Sequence, residues 1–345
     1  MVVLASQVCS VALAAPGPAP VATACPGDTY EKNEPIFLDD PYYPAGVMHS
    51  GKYNGMCIDT SWQRPAHVLS KEAAVAAGVP AGYIAFANFN HGGRNWIAQV
   101  PMGAVEEVIF QMEHFSFSTP PGMQNVGIPS AHTEIRFKFK KGSEVILIPQ
   151  SAEAAAAGQA SEVRLSDIIY SVELIAPKGV SNFDPINGLK GTFAIVYHFT
   201  SLGDKFNYMI TQQSHRVEQM PIKVTDEQKQ QLLLHAIATS DAMGVSGTYN
   251  TALRNCTSEV FKLFDEVLSD APGYGKPSTL EKILSARPGR SKKSLTNRGL
   301  LDPAMTWPDL NDEKDIVPAA TTRPAAPGLP EPQLPQVFPS PKPSN

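Results

Sequence analysis

The chain is poor in cysteine: Cys9, Cys25, Cys57 and Cys256 are the only four among 345 residues. That excludes a scaffold held together by a dense disulfide framework. A basic excess is also missing, since 28 Lys and Arg face 33 Asp and Glu for a net charge of −5. Nucleic-acid binders carry the opposite imbalance, so no nucleic-acid partner is expected. Past residue 30 there is no apolar run of about 18 residues, the length a membrane-crossing helix needs. A G-x-S-x-G elbow, an H-E-x-x-H helix and a Gly-rich phosphate loop are all lacking. The sequence therefore gives no reason to expect a serine-hydrolase nucleophile, a metal site or a cofactor.

What remains is an ordinary globular composition, 43% hydrophobic and 18% charged. Length alone permits two domains, but the order of segments argues for one catalytic-size unit with tails. Residues 2–15 form an apolar run followed by small residues, the pattern of an export signal covering 1–24 with cleavage near Ala22–Ala24. Its usual Lys/Arg start is missing, which leaves an upstream start or an atypical signal open. Ala22-Thr23-Ala24-Cys25 is a loose lipobox, with Ala22 where a large aliphatic residue is wanted, so a lipid anchor at Cys25 is one option. Residues 25–80 read as an irregular N-terminal segment, 81–286 as a catalytic α+β domain and 287–317 as a basic linker. Residues 318–345 form a Pro-rich disordered tail, with nine prolines between Pro318 and Pro343.

Within the central unit, strands come first and helices after. Strands are expected at Tyr83–Ala87, Asn95–Val100, Val105–Met112, Ala131–Phe139, Glu144–Ile148, Asp167–Ile175, Thr192–Thr200 and Asn207–Gln213. A short helix begins after Ser70. Thr225 and Gln228 make a capping box before a longer one, with Leu232, Leu233, Ala236 and Ile237 on its apolar stripe and Gly244 at its end. Asn255 caps a further helix, and Ser278 with Glu281 caps the last. This order predicts an α+β fold on a largely antiparallel sheet. Arg287, Arg290, Lys292, Lys293 and Arg298 read as a solvated basic loop; contact with anionic lipid headgroups or envelope polymer is the sharper reading.

Cysteine arithmetic singles out Cys256. Cys9 would leave with the signal, and Cys25 and Cys57 lie close enough in sequence to pair, unless Cys25 is lipidated. Cys256 is left as an odd thiol in the first turn of a helix. A thiol attacks as thiolate and needs local positive potential, which unpaired N–H groups at a helix start supply. The same N–H groups can hold a developing oxyanion. A buried structural cysteine is the bland alternative. A base is also needed. His235 falls on the stripe side of its helix and reads as packed, and His114 as structural. His91, His132 and His198 stay open, with His132 weakly favoured: it opens a strand on the polar parity, opposite Ile135, Phe137 and Phe139. Asp39-Asp40 reads as solvated, and the Asn255-Cys256-Thr257 sequon as chance.

Two segments carry a resemblance. Ser130-Ala131-His132-Thr133-Glu134-Ile135-Arg136-Phe137 resembles an S-x-H-x-x-x-R-F strand, and Tyr249 to Thr257 resembles a Y-x-x-L-x-x-N-C-T segment, with Ala252 where the leucine is expected. Both resemble the N-terminal periplasmic domain of Lnb-type lipoprotein N-acyltransferases, over roughly residues 95–270. The resemblance implies a circularly permuted papain-like (NlpC/P60-like) fold, with the histidine strand before the cysteine helix. It implies Cys256 as nucleophile and His132 as base. For the third, orienting group it fixes no residue; Glu173, Tyr170 and His198 are candidates. Asn255 and Arg136 are further candidates for orienting or substrate-holding roles. The implied activity is acyl transfer through a thioester on an acyl-bearing lipoprotein or lipid. A thiol amidase or peptidase acting on cell-wall peptide or protein is the alternative, and a non-catalytic envelope-binding module is the third reading. An exported chain, periplasmic or extracellular, is implied throughout.

Overall fold

The computed structural model describes residues 63–316 and 318, apart from 118–127, 151–154, 156, 157, 177–187, 192, 246, 303 and 306. The proposed signal, Cys9, Cys25, Cys57, Asp39-Asp40 and the tail from 319 lie outside the described residues. The strands are β1 (His67–Val68), β2 (Tyr83–His91), β3 (Arg94–Pro101), β4 (Val105–Phe117), β5 (Ile128–Phe139), β6 (Val145–Pro149), β7 (Val163–Leu165), β8 (Asp167–Ile175), β9 (Phe193–Ser201), β10 (Arg216–Pro221) and β11 (Thr248–Tyr249). The helices that matter here are α1 (Lys71–Ala76), α2 (Leu202–Phe206), α3 (Asp226–Met243), α4 (Cys256–Leu268), α5 (Thr279–Ser285) and α6 (Ser291–Asn297).

All eleven strands join one open sheet in the order β10-β4-β5-β8-β9-β2-β3-β6-β7, with β1 added to β2 and β11 to β9. Only the β2–β9 pairing is parallel among the described strands. The α+β expectation and the mainly antiparallel sheet both hold. Strict alternation sets the two faces. Ile135 and Phe137 of β5, Tyr170 and Val172 of β8, and Tyr197 and Phe199 of β9 are buried on one side. Helices α3 and α4 cover that side with Leu232, Leu233, Ala236, Ile237, Val260, Phe261, Phe264 and Leu268, all at most 2% exposed. Burying each such aliphatic or aromatic side chain contributes about 1.5–3 kcal/mol, so this layer holds the domain together.

The caps read from sequence are present. Ser70 accepts from Ala73 N, Thr225 and Gln228 form a reciprocal capping box, and Ser278 accepts from Glu281 N. Three expectations are corrected. Asn207–Gln213 is not a strand: Asn207–Gln212 is a π-helical turn directly after α2, where Met209 packs with Ile169, Leu202 and Val217. Residues 287–298 are not a solvated loop: they form a 3-10 turn and α6, with Leu295 and Arg298 buried. The Arg298 guanidinium makes two bonds to Asp265 on α4, 2.8 and 3.0 Å, and stacks on Phe261. His235 is not packed on the stripe but half-exposed, 3.0 Å from Glu266. The folded unit also runs past residue 286. Asp309 pairs with Arg216, and Glu313 reaches Arg136 across the polar side of the sheet.

Candidate functional site

The β5–β8 ladder starts at Lys138↔Asp167 and ends at Glu134↔Ser171. Beyond that pair, β5 continues only with β4, as far as Ile128↔Phe117, and β8 only with β9, as far as Ile175↔Ala194. The two strands part, and a cavity of about 500 Å3 opens at the fork. Cys256 and Asn255 line it from the helical side, His132 and Ala131 from β5, and Val172, Glu173 and Leu174 from β8. The Cys256 sulfur lies against the Thr133 backbone, whose N–H helps hold the thiol's pKa down.

The start of α4 is held on three sides. The Asn255 side-chain oxygen accepts from Thr257 N and Ser258 N, both at 2.9 Å, while Ser258 Oγ accepts from Asn255 N. The Asn255 amide nitrogen donates to the carbonyls of Thr251 and Ala286. Thr133 Oγ1 donates to Thr257 Oγ1 at 3.2 Å, tying the helix start to β5. Cys256 is therefore fixed in the first turn, 6% exposed. It is the one free thiol among the described residues.

His132 Nε2 lies 2.9 Å from Ser171 Oγ and 3.2 Å from Glu173 Oε1. Ser171 Oγ in turn donates to Glu173 Oε1 at 2.8 Å. With Nε2 engaged there, Nδ1 is the ring nitrogen left to the thiol. Burial works against charge on every member of this group, and the partners overcome it. Against burial, the His132 imidazole and its hydrogen bond hold the Cys256 thiol below its ordinary pKa. Against burial, the Glu173 carboxylate and the Cys256 sulfur hold His132 well above its ordinary value. Burial would raise the Glu173 pKa, but His132 and Lys205 pull it well down. The three groups thus favour a thiolate, an imidazolium and a carboxylate in a row.

Lys205 completes the arrangement on the polar face that carries Glu134, Ser171 and Glu173. Its ammonium sits 2.8 Å from Glu134 and 2.9 Å from Glu173, and donates to Ser171 Oγ at 3.3 Å. Burial lowers its pKa less than Glu134 and Glu173 raise it. His132, Glu134 and Glu173 place three donor atoms within 4.8 Å, the spacing of a metal site. The Lys205 ammonium already lies against both carboxylates and supplies the positive charge a cation would bring, so these donors suit an ion pair better than a metal.

The candidate residues divide cleanly. Cys256, His132, Glu173 and Asn255 come together; Asn255 positions the helix start and lines the cavity. Tyr170 does not join them. It is 1% exposed on the apolar face, stacked on Tyr197 and packed against Phe199. Arg136 is buried in bonds to Asp167, Gln219 and Glu313 and lines no part of the cavity. It secures the C-terminal segment rather than presenting a free guanidinium. His198 lies behind the site, 4.0 Å from Glu173, with no hydrogen-bond partner among the described residues. Burial outweighs the neighbouring carboxylates and keeps it below its ordinary pKa. His91 bonds Ser201 in the β2–β3 hairpin region, away from the thiol. Ser171, Glu134 and Lys205 were missed, because polar residues on a strand or a short helix look like solvated surface. Tyr249 was missed as a site residue although it opens the Y-x-x-L-x-x-N-C-T segment. It lines the cavity with Cys256, and burial together with the charge at Cys256 pushes its hydroxyl pKa up.

An α+β sheet whose forked strands bring a thiol, an imidazole and a carboxylate to one cavity defines the class. Residues 95–286 match the family model of the Lnb N-terminal periplasmic domain, and the chain belongs to that family. No curated protein and no solved structure matches significantly.

Proposed function

We propose that this chain is a cell-envelope thiol enzyme that transfers acyl groups through a thioester on Cys256. The observation that carries the reading is the Cys256–His132–Glu173 row at the fork of β5 and β8. In the first half-reaction the sulfur attacks an acyl-ester carbonyl. The C–S bond forms, the ester C–O bond breaks, and the proton given up by the thiol leaves with the alkoxide through His132. Thr257 N and Ser258 N are taken by Asn255 Oδ1, so the Cys256 N–H and the Tyr249 hydroxyl are the donors we assign to the developing oxyanion. Glu173 keeps the imidazole oriented and stabilises its charged form, the role of a third group in thiol and serine sites. In the second half-reaction an amine attacks the thioester and the thiolate leaves. The order of His132 on a strand before Cys256 on a helix suits a circularly permuted papain-like arrangement.

The substrate class follows the family: an acyl-bearing lipoprotein or lipid in the envelope. An exported chain, with a lipid anchor at Cys25 as one form of retention, fits the family's periplasmic description. The amidase or peptidase reading has one observation of its own. Glu113, Glu173, Lys205 and His215 line the cavity beside Phe115, Val172, Leu174 and Tyr208, a mixed lining that also suits a polar peptide.

The test is covalent capture. With an activated acyl ester at neutral pH, intact-mass and peptide mapping should find one thioester, on Cys256, and none in Cys256→Ala. A folded wild-type chain that takes no acyl group onto Cys256 would falsify the enzyme reading in favour of a binding module.

A further inference from the structure

The cavity holds a second histidine–carboxylate pair that the thiol row does not use. His215 Nδ1 lies 2.6 Å from Glu113 Oε1, and both residues line the same cavity as Cys256. Glu113 stands directly opposite His132 in the β4–β5 ladder and shares its face of the sheet. The carboxylate is 6% exposed, so its partner is not a surface counter-ion. The His215 ring is fixed a second way by stacking on Phe115, with centroids 5.7 Å apart and planes at 23°. With Nδ1 held by the carboxylate, Nε2 is the free nitrogen and makes no hydrogen bond among the described residues. A quarter of the side chain stays open.

The backbone around His215 is irregular. Ser214 adopts φ 55°, a left-handed conformation that a non-glycine residue takes only when its surroundings impose it. Just before it lies the π-helical turn Asn207–Gln212, a form that recurs at functional sites. Tyr208 and Gln213 from this stretch also line the cavity. The His215 N–H closes the segment by donating to Met209 O at 2.8 Å. A plain ion pair between two strands would need none of this.

Resting on the acyl-transfer reading above, we infer that His215, oriented by Glu113, is a second catalytic base that serves the acyl acceptor. One side of the cavity then makes the thioester and the other resolves it. In the resolving step the acceptor nitrogen bonds to the acyl carbon and the C–S bond breaks. The acceptor's proton passes to His215 Nε2 and from there to solvent. The departing thiolate is held by His132, which regains from water the proton it gave to the alkoxide and so restores the thiolate–imidazolium pair. The acceptor class is a neutral primary amine that must lose a proton as it attacks, with water as the poorer substitute.

The experiment separates the two half-reactions in the full chain, with a p-nitrophenyl acyl ester as donor and glycinamide as acceptor. Nitrophenolate release in the first turnover reads acylation; loss of the Cys256 adduct by mass reads transfer. In His215→Phe paired with Glu113→Gln, which keeps the stack on Phe115 and leaves no buried charge, acylation should stay within about twofold of wild type. Transfer to glycinamide should fall about 10²-fold, with the thioester accumulating. Hydroxylamine, which needs less help from a base, should clear the accumulated adduct at nearly the wild-type rate. Acylation and transfer falling together would reduce the pair to a structural tie and overturn the inference. Unchanged transfer would overturn it as well. A wild-type chain that never forms the adduct would overturn the underlying thiol reading, and this inference with it.

Discussion

The two faces of the sheet are built from the same strands and do opposite work. On one, Ile135, Phe137, Tyr170 and Phe199 meet α3 and α4 in a dry layer where a lost side chain leaves a hole. On the other, one residue along in each strand, half-buried His132 and Glu173 stand with buried Glu134, Ser171 and His198 in a polar layer capped by Lys205. The apolar face gains from every contact independently. The polar face is favourable only as a complete set, because an unpartnered charge there costs far more than its pairing contributes. The thiol sits where the ladder between β5 and β8 ends, supported by the dry layer and tuned by the wet one.

That contrast can be broken from either side. Phe264→Ala removes a fully buried ring from the dry layer and should cost about 3–5 kcal/mol in denaturant unfolding. Its thiol alkylation rate against pH should keep the wild-type midpoint, because no charge near Cys256 changes; a moved midpoint would show the faces are coupled. Lys205→Met should cost a similar amount, about 3–5 kcal/mol, by stranding Glu134 and Glu173. Adding Glu134→Gln should recover most of that loss, whereas a double variant as unstable as the single would mean that packing of Lys205, not charge, matters.

The smallest effect is one of pH. The folded pKa of Glu173 lies below its unfolded value. Its contribution to stability is therefore full above about pH 4.3, the ordinary glutamate value, and is lost as pH falls through the depressed folded value. His132 has the opposite sign, with a folded pKa above the unfolded one. Its contribution is full below about pH 6.5 and fades as pH rises through the raised value. Glu173→Gln should flatten the acid limb of a stability-against-pH curve and lower the alkaline one. An unchanged acid limb would remove Glu173 from the charge row.

The dry face was legible in the sequence because its signal is local. Alternation marked Ile135, Phe137 and Phe139 as one side of their strand, Asp167–Ile175 was placed to the residue, and the caps at Thr225, Asn255 and Ser278 marked the helices. The wet face was not, because polarity was taken for exposure. Lys205 reads as surface until α2 is laid across β8, and its partners Glu134 and Glu173 are distant in the chain. Arg298 failed in the same way, since its acid, Asp265, lies 33 residues earlier. Asn207–Gln213 misled for another reason. Tyr208, Met209 and Ile210 favour strands by composition, but Met209 has its pocket only if the chain turns tightly there. Of the site, the residues themselves singled out Cys256 and left its histidine among three; the resemblance chose His132, and of Glu173, Tyr170 and His198 it is Glu173 that the fold brings within 3.2 Å of that ring.

The position of Cys256 also bears on how such a chain survives its own synthesis. Everything that acidifies the thiol comes from elsewhere: His132 and the Thr133 amide from β5, the helix start only once α4 has formed. An unfolded chain therefore carries an ordinary cysteine, largely protonated at neutral pH and a slow partner in disulfide exchange. The acidified thiol is created by the same step that hides it, at 6% exposure beside a cavity. In an oxidising compartment this ordering separates reactivity from accessibility in time. The sulfur is open to scrambling with Cys25 and Cys57 only while it is inert, and becomes reactive only when small, shaped partners alone can reach it.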